Sequence, residues 1–135
     1  MRHDPGGTTN AGATYIYKLS GGTWSQKSKL ILSDKAAYDE AGKYLSLSGD
    51  GKFVILGVEG NDFSVSDSGA AYIFTNTTGS TWDEKTRIKS SSPNGGDYFG
   101  TAVGLNYNGT VAVVGADGED SPGSESGSSS VYSCN

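Results

Sequence analysis

The chain has 135 residues, of which 21 are Gly, 34% are hydrophobic and only 19% charged, with a formal net charge of −5. Glycine stands at about twice its usual share, yet there is no Gly-X-Y period, no heptad repeat and no highly charged tail, which excludes collagen, coiled coil and charged disorder. No run approaches the ~18 consecutive apolar residues of a membrane helix, and acidic balance without a Lys/Arg cluster argues against nucleic acid as a partner.

In chain order, residues 1–11 are expected to be a loose N-terminal segment without the apolar stretch of a leader peptide. Two strand-like runs follow, at 12–18 and 24–32. Residues 42–48 form the next strand, in which Leu45 and Leu47 alternate with Ser46 and Ser48. Gly49-Asp50-Gly51 marks a hairpin turn into 52–58, apolar at almost every position and so expected to be covered on both faces. After 69–75 and a polar turn comes 81–90; then 100–106, the turn Tyr107-Asn108-Gly109, 110–116 and 127–133. No window carries a helical period.

These runs repeat. Trp24 and Trp82 lie 58 positions apart, and the same offset pairs Thr23 with Thr81, Lys27 with Lys85, Asp39 with Asp97, Gly42 with Gly100, Leu47 with Leu105, Gly57 with Gly115 and Gly69 with Gly127. Upstream of the tryptophans the register slips by one, so that 12–17 matches 69–74. Each unit contains four strands, here a to d, with a expected innermost and d at the outer edge. On strand d, Lys27 and Lys29, then Lys85, Arg87 and Lys89, recur at every second residue, which predicts one face in water. A four-stranded antiparallel meander of this period is a β-propeller blade, against the alternative of a nine-stranded sandwich. The expected fold is all-β, a partial propeller: a half blade (c–d) over 12–32, a complete blade over 42–90 and an incomplete a–b–c blade over 100–133. A ring typically takes about 4–8 blades, so the rest is expected from a longer parent chain or from other subunits.

The run Asp97-Tyr98-Phe99-Gly100, followed after one hairpin by Val113-Val114-Gly115-Ala116-Asp117, resembles the FG-GAP repeat of integrin α-subunit propellers. Gly69–Phe74, Gly127–Tyr132 and the segments leading into Trp24 and Trp82 fit the same pattern, so that the resemblance spans roughly 10–133. It implies an extracellular or cell-surface module for protein binding or adhesion. Two departures stand out: Ala41-Gly42 replaces Phe-Gly in the first unit, and the third residue of the Gly-Ala-Pro triplet is Glu59 or Asp117. Integrin-type blades also carry a calcium loop between strands a and b, because calcium wants six or more oxygens. Here Ser46, Ser48 and Asp50, or Gly104, Asn106 and Asn108, fall at the ligand positions, too few carboxylates for a tight site.

A meander places a–b and c–d turns at one pole and b–c and d–a loops at the other. The loop pole receives 11 of the 15 acidic residues: Asp34, Asp39, Glu40, Glu59, Asp62, Asp67, Asp97, Asp117, Glu119, Asp120 and Glu125. Of the basic residues only Lys35 joins them. The rim from Glu59 to Glu125 is the candidate binding surface for a protein or glycan ligand; Asp117, Glu119 and Asp120 form its candidate weak calcium site, the only cofactor considered. The bland reading is that carboxylates simply solvate long loops. At the turn pole, Asn76 and Asn108 open N-glycosylation tripeptides.

Catalysis is not expected. His3 is the sole histidine and Cys134 the sole cysteine, both near the ends, so no Ser-His-Asp or Cys-His set assembles. Glu119 and Asp120 are neighbours whose side chains diverge in an extended chain and do not flank one glycosidic bond. Trp24 and Trp82 are expected between blades, although they could stack on sugars. The sequence thus points to a non-catalytic binding module, with a glycan-binding propeller or the scaffold domain of a secreted enzyme as the competing readings.

Overall fold

The computed structural model describes residues 7–62, 64–76, 78–79, 81–120, 123 and 126–133. Among them nine strands follow one another: β1 (Thr14–Ser20), β2 (Thr23–Leu30), β3 (Tyr44–Leu47), β4 (Phe53–Val58), β5 (Ala70–Thr75), β6 (Asp83–Ile88), β7 (Phe99–Leu105), β8 (Val111–Ala116) and β9 (Ser128–Ser133). They form three antiparallel sheets of order β1-β2, β3-β4-β5-β6 and β7-β8-β9, the c–d, a–b–c–d and a–b–c meanders of a propeller. The strands stop one or two residues inside most predicted ends, where glycines at positive φ, among them Gly51, Gly69, Gly109 and Gly127, turn the chain.

Burial follows the pattern of a blade. β4 is buried at every position after Phe53, and β5 throughout. Side chains alternate across a sheet, so these central strands supply apolar residues to both faces. One face places Val54, Leu56, Val58, Tyr72 and Phe74 against Leu30 at the end of β2 and Leu32 just beyond it, with Ile16 and Trp82 packed on the same cluster. The other places Ile55, Ala71 and Ile73 against Phe99, Ala112, Val114 and Ala116 of the third, flanked by Val103, Leu105 and Tyr132. The core therefore lies between sheets.

Two residues of the Phe-Gly and Gly-Ala motifs explain how closely the sheets approach. Phe99 is 1% exposed and meets the Tyr132 ring edge-on, with centroids 6.2 Å apart. Gly100, at φ 107°, sits against Gly57 of the preceding sheet, where a methyl group on either would strike backbone of the other. The bare glycines let β4 and β7 pack main chain to main chain. Ser46 Oγ accepts from Leu105 N at 3.3 Å, joining the inner strands β3 and β7.

The repeat is geometric as well as compositional. The β1–β2 ladder slips between Ile16 and Tyr17, and the β5–β6 ladder between Ile73 and Phe74, leaving Lys27 and Lys85 as equivalent bulge residues. The bulge corrects the expected strand-d face. Alternation breaks there, so Arg87 does not share a water-facing row with Lys85 but turns inward, 5.9 Å over the Tyr72 ring and bonded to Asp34. Lys29 lies over Tyr15 in the same way, at 5.7 Å. Trp82 packs between sheets, as expected; Trp24 occupies the matching position yet is 65% exposed, because no sheet among the described residues lies on its side.

Residues 9–11 also differ from the expected loose segment 1–11, of which 1–6 lie outside the described residues. Thr9, Asn10 and Ala11 carbonyls accept from the amides of Tyr38, Glu40 and Ala41, and Ala11 is fully buried. The same three bonds recur between Ser66, Asp67 and Ser68 and the amides of Gly96, Tyr98 and Phe99. Residues 9–11 are thus the end of a b–c loop.

Candidate functional site

The six repeated bonds just described fasten each b–c loop to the d–a loop beside it, and so build the loop pole from the backbone upward. Their geometry demands left-handed residues at equivalent places: Asn10 and Asp67 at φ 53° and 54°, Glu40 and Tyr98 at φ 55° and 53°. Asn and Asp tolerate this region because a short polar side chain can bond locally. Asp67 N donates to Asp62 Oδ1 at 2.8 Å within the same loop. Holding bulky Glu40 and Tyr98 there costs roughly 1 kcal/mol or more each, which the interloop bonds and buried loop ends offset.

Among the predicted rim residues, Asp62, Asp117 and Asp120 are exposed; Glu59, Asp67 and Glu119 are half-buried. Asp97 is not part of the open rim. It is 2% exposed, and its Oδ2 accepts from Asn94 N at 2.6 Å, tying the d–a loop to itself. Asp39 does the same at the equivalent position, accepting from Ala36 N at 2.6 Å, and is 1% exposed. Burial pushes the Asp39 carboxyl above its ordinary value, against the lowering effect of the bonds from Ala36 N and the Asn61 amide. Both aspartates count toward the loop pole, and Asp97 toward the candidate rim, because sequence alone does not distinguish a loop-closing carboxylate from a solvated one. Their spacing, three residues after the amide each accepts from, is the signal that separates them. Glu125 lies outside the described residues.

The rim is also less negative than the charge count implied. Lys43, just before β3, pairs with Glu59. Arg87 pairs with Asp34, which also accepts from the Tyr72 hydroxyl at 2.9 Å. Asn61 Nδ2 donates to that hydroxyl at 3.2 Å and to Asp39 at 3.4 Å, so a polar network crosses the first blade–blade contact beneath the loops. In the third sheet Glu119 stands where Asn61 stands in the second; its carboxylate accepts from Ser128 Oγ and its carbonyl from Gly127 N at 2.9 Å. Two aromatic residues missed as site candidates complete the surface: Tyr38 and Tyr98, 62% and 40% exposed. Their repeated place in the d–a loops, each next to the loop aspartate Asp39 or Asp97, was the available signal.

No three His, Cys, Asp or Glu side chains among the described residues converge as metal ligands, so Asp117, Glu119 and Asp120 do not gather around one point. At the turn pole, the positions of an integrin-type calcium loop bond to one another. Ser48 Oγ donates to Asp50 Oδ1 at 2.7 Å and accepts from Phe53 N at 3.0 Å. Asn106 Oδ1 accepts from Val111 N at 2.9 Å, matching Ser48, and Thr110 Oγ1 donates to Asn108 Oδ1 at 2.7 Å. The predicted glycosylation residue Asn108 is exposed, and Asn76, half-buried, accepts from Gly79 N at 2.7 Å. Both occupy the pole opposite the acidic loops. No described helix is long and apolar enough to cross a membrane.

A family model described as FG-GAP repeat matches residues 24–74 and again residues 82–132, each match running from a tryptophan through d, a, b and most of c. None of the curated proteins matches the chain.

Proposed function

Since the chain belongs to the FG-GAP repeat family, we propose that it works as a non-catalytic protein-binding module outside the cell, of integrin-α-like kind, engaging its partner with the loop pole. The observation that carries this reading is the backbone bonding that ties the loops of that pole together. Two consecutive loop pairs are fastened by the same backbone bonds and carry exposed Asp62, Tyr38 and Tyr98, and the third b–c loop, with exposed Asp117 and Asp120, joins the second pair through Gly118 N and the Asp97 carbonyl at 3.2 Å. A pre-ordered surface with aromatic anchors and exposed carboxylates suits a basic protein segment, because little entropy is lost on binding and opposite charge speeds encounter. Sugar at Asn76 or Asn108 would project from the far pole and leave this one clear. The glycan reading, by contrast, has lost one of its two stacking candidates, since Trp82 is packed between sheets.

The test uses a lysine- and arginine-rich peptide as probe, followed by amide chemical shifts. Shifts confined to 34–40, 59–69, 94–98 and 117–120 are expected. Replacing Asp62, Asp117 and Asp120 by Asn should weaken binding about fivefold or more, and raised salt should do likewise. Shifts clustered at the turn pole, or none at all, would refute the assignment.

A further inference from the structure

Four sites place Asn or Asp directly before Gly: Asp50-Gly51, Asn94-Gly95, Asn108-Gly109 and Asp117-Gly118. At such a pair the glycine nitrogen is the nearest nucleophile to the side-chain carbonyl carbon, and without a Cβ on the glycine little hinders its approach. The fold engages three of these four nitrogens. Gly51 N donates to the Ser48 carbonyl at 3.0 Å, Gly109 N to that of Asn106 at 3.2 Å and Gly118 N to that of Asp97 at 3.2 Å. Thr110 Oγ1 also donates to Asn108 Oδ1 at 2.7 Å and holds that side chain. Among the described residues no acceptor meets Gly95 N, and both Asn94 and Gly95 are exposed. The turn accounts for this. Asp97 N donates to the Asn94 carbonyl at 3.4 Å, and Gly96 lies at φ 82°, as in a type II turn. Such a turn closes through its first carbonyl and last amide, so the amide of its second residue stays outside the ring. The equivalent turn of the preceding unit runs Ala36-Ala37-Tyr38-Asp39 and keeps the bond from its first amide to its aspartate, so the fold does not require Asn-Gly here.

We propose that Asn94 is a self-modification site, at which the chain deamidates through a cyclic imide. Gly95 N gives its proton to hydroxide and attacks Asn94 Cγ; the N–Cγ bond forms, the Cγ–Nδ2 bond breaks and ammonia leaves. Water then opens the ring at either carbonyl. Attack at Cγ breaks the new bond and leaves aspartate at position 94. Attack at the main-chain carbonyl breaks the original peptide bond and leaves isoaspartate, whose backbone runs through the side chain. Either product adds a negative charge to the loop pole, next to buried Asp97, whose Oδ2 accepts from Asn94 N at 2.6 Å. Isoaspartate also lengthens the main chain between that bond and the one from Gly96 N to the Ser66 carbonyl, part of the seam that fastens the two loops. The site is independent of what the pole binds.

The test ages the whole chain, made without glycosylation so that Asn108 keeps its amide, in mildly alkaline buffer. Peptide mass mapping follows each site, and a methyltransferase specific for isoaspartate reads that product. Deamidation should be about fivefold or more faster at Asn94 than at Asn108, because Asn108-Gly109 must first release its backbone bond. Both aspartate and isoaspartate should accumulate at position 94. Unfolding in urea should bring the two rates together, since the protection of Asn108 comes from the fold. Gly95→Ala, whose methyl group has a counterpart in Ala37, should leave the chain folded and slow the loss at Asn94 about tenfold. Equal rates at the two sites in the folded chain, a difference that persists in urea, aspartate without isoaspartate at position 94, or an unchanged rate in Gly95→Ala would each overturn the proposal.

Discussion

The filled contacts between neighbouring sheets and the faces that meet no neighbour among the described residues use the same residue positions with opposite outcomes. Leu105 is packed where Leu47 is exposed, Trp82 is half-buried where Trp24 is 65% exposed, and Gly57 faces a neighbouring backbone where Gly115 faces only Ala102 of its own sheet. The amino acids are alike and the secondary structure is alike. What differs is whether another blade stands alongside. In a repeat of this kind, burial belongs to the interface between units, and the stabilisation a residue provides is close to a nearest-neighbour quantity.

The largest effect should separate the two glycines. A methyl group at Gly57 meets the Gly100 carbonyl and forces the sheets apart, so Gly57→Ala should lower stability by about 3 kcal/mol. At Gly115 the added carbon lies 3.2 Å from the Cβ of exposed Ala102 across the ladder, which the two strands relieve by parting a few tenths of an ångström, and Gly115→Ala should cost about 1 kcal/mol or less. Urea unfolding of both variants measures the gap; equal losses would mean that Gly57 does not face a second sheet. Next come the tryptophans. Trp82→Ala should cost about 2 kcal/mol by opening the first apolar cluster, and Trp24→Ala about 0.5 kcal/mol or less. Comparable losses would place Trp24 in a contact of its own.

The smallest effect concerns pH. Burial raises the Asp39 carboxyl above 3.8, so the folded protein holds this proton more tightly than the unfolded chain does. As pH rises through about 4 the unfolded chain ionises first, and Asp39 then subtracts from stability until its folded value is passed. The stability of the natural protein relative to Asp39→Asn should therefore decline as pH rises from below 3.8 to above it. Asp50, at the opposite pole, should slope the other way. The Ser48 hydroxyl holds it below 3.8, so its contribution is present above that value and is lost as pH falls. Denaturant midpoints across this range check both; a rising difference for Asp39 would show that its hydrogen bonds outweigh its burial.

Much of the architecture was legible because the 58-residue offset registers strands, turns and glycines together, and because an unbroken apolar run such as 53–58 has one natural place, inside a sheet covered on both faces. The bulges at Lys27 and Lys85 were not legible. A bulge adds one residue to one strand without altering composition, and the lysine alternation conceals it. The candidate rim was legible only as a count of charges. Its division into exposed Asp62, Asp117 and Asp120, paired Glu59 and buried Asp97 depends on which amide or cation each carboxylate meets. Those partners lie in the backbone of the same loop, as Asn94 does for Asp97, or across the sheet, as Lys43 does for Glu59.

The claim on which the rest stands is that successive sheets meet face to face through bare glycines. A nuclear Overhauser measurement between the α protons of Gly57 and Gly100 addresses it directly. A strong cross-peak is expected, because β4 and β7 approach backbone to backbone at this pair. Its absence, with Gly57 showing contacts only to β3 and β5 of its own sheet, would contradict the stacked-blade account.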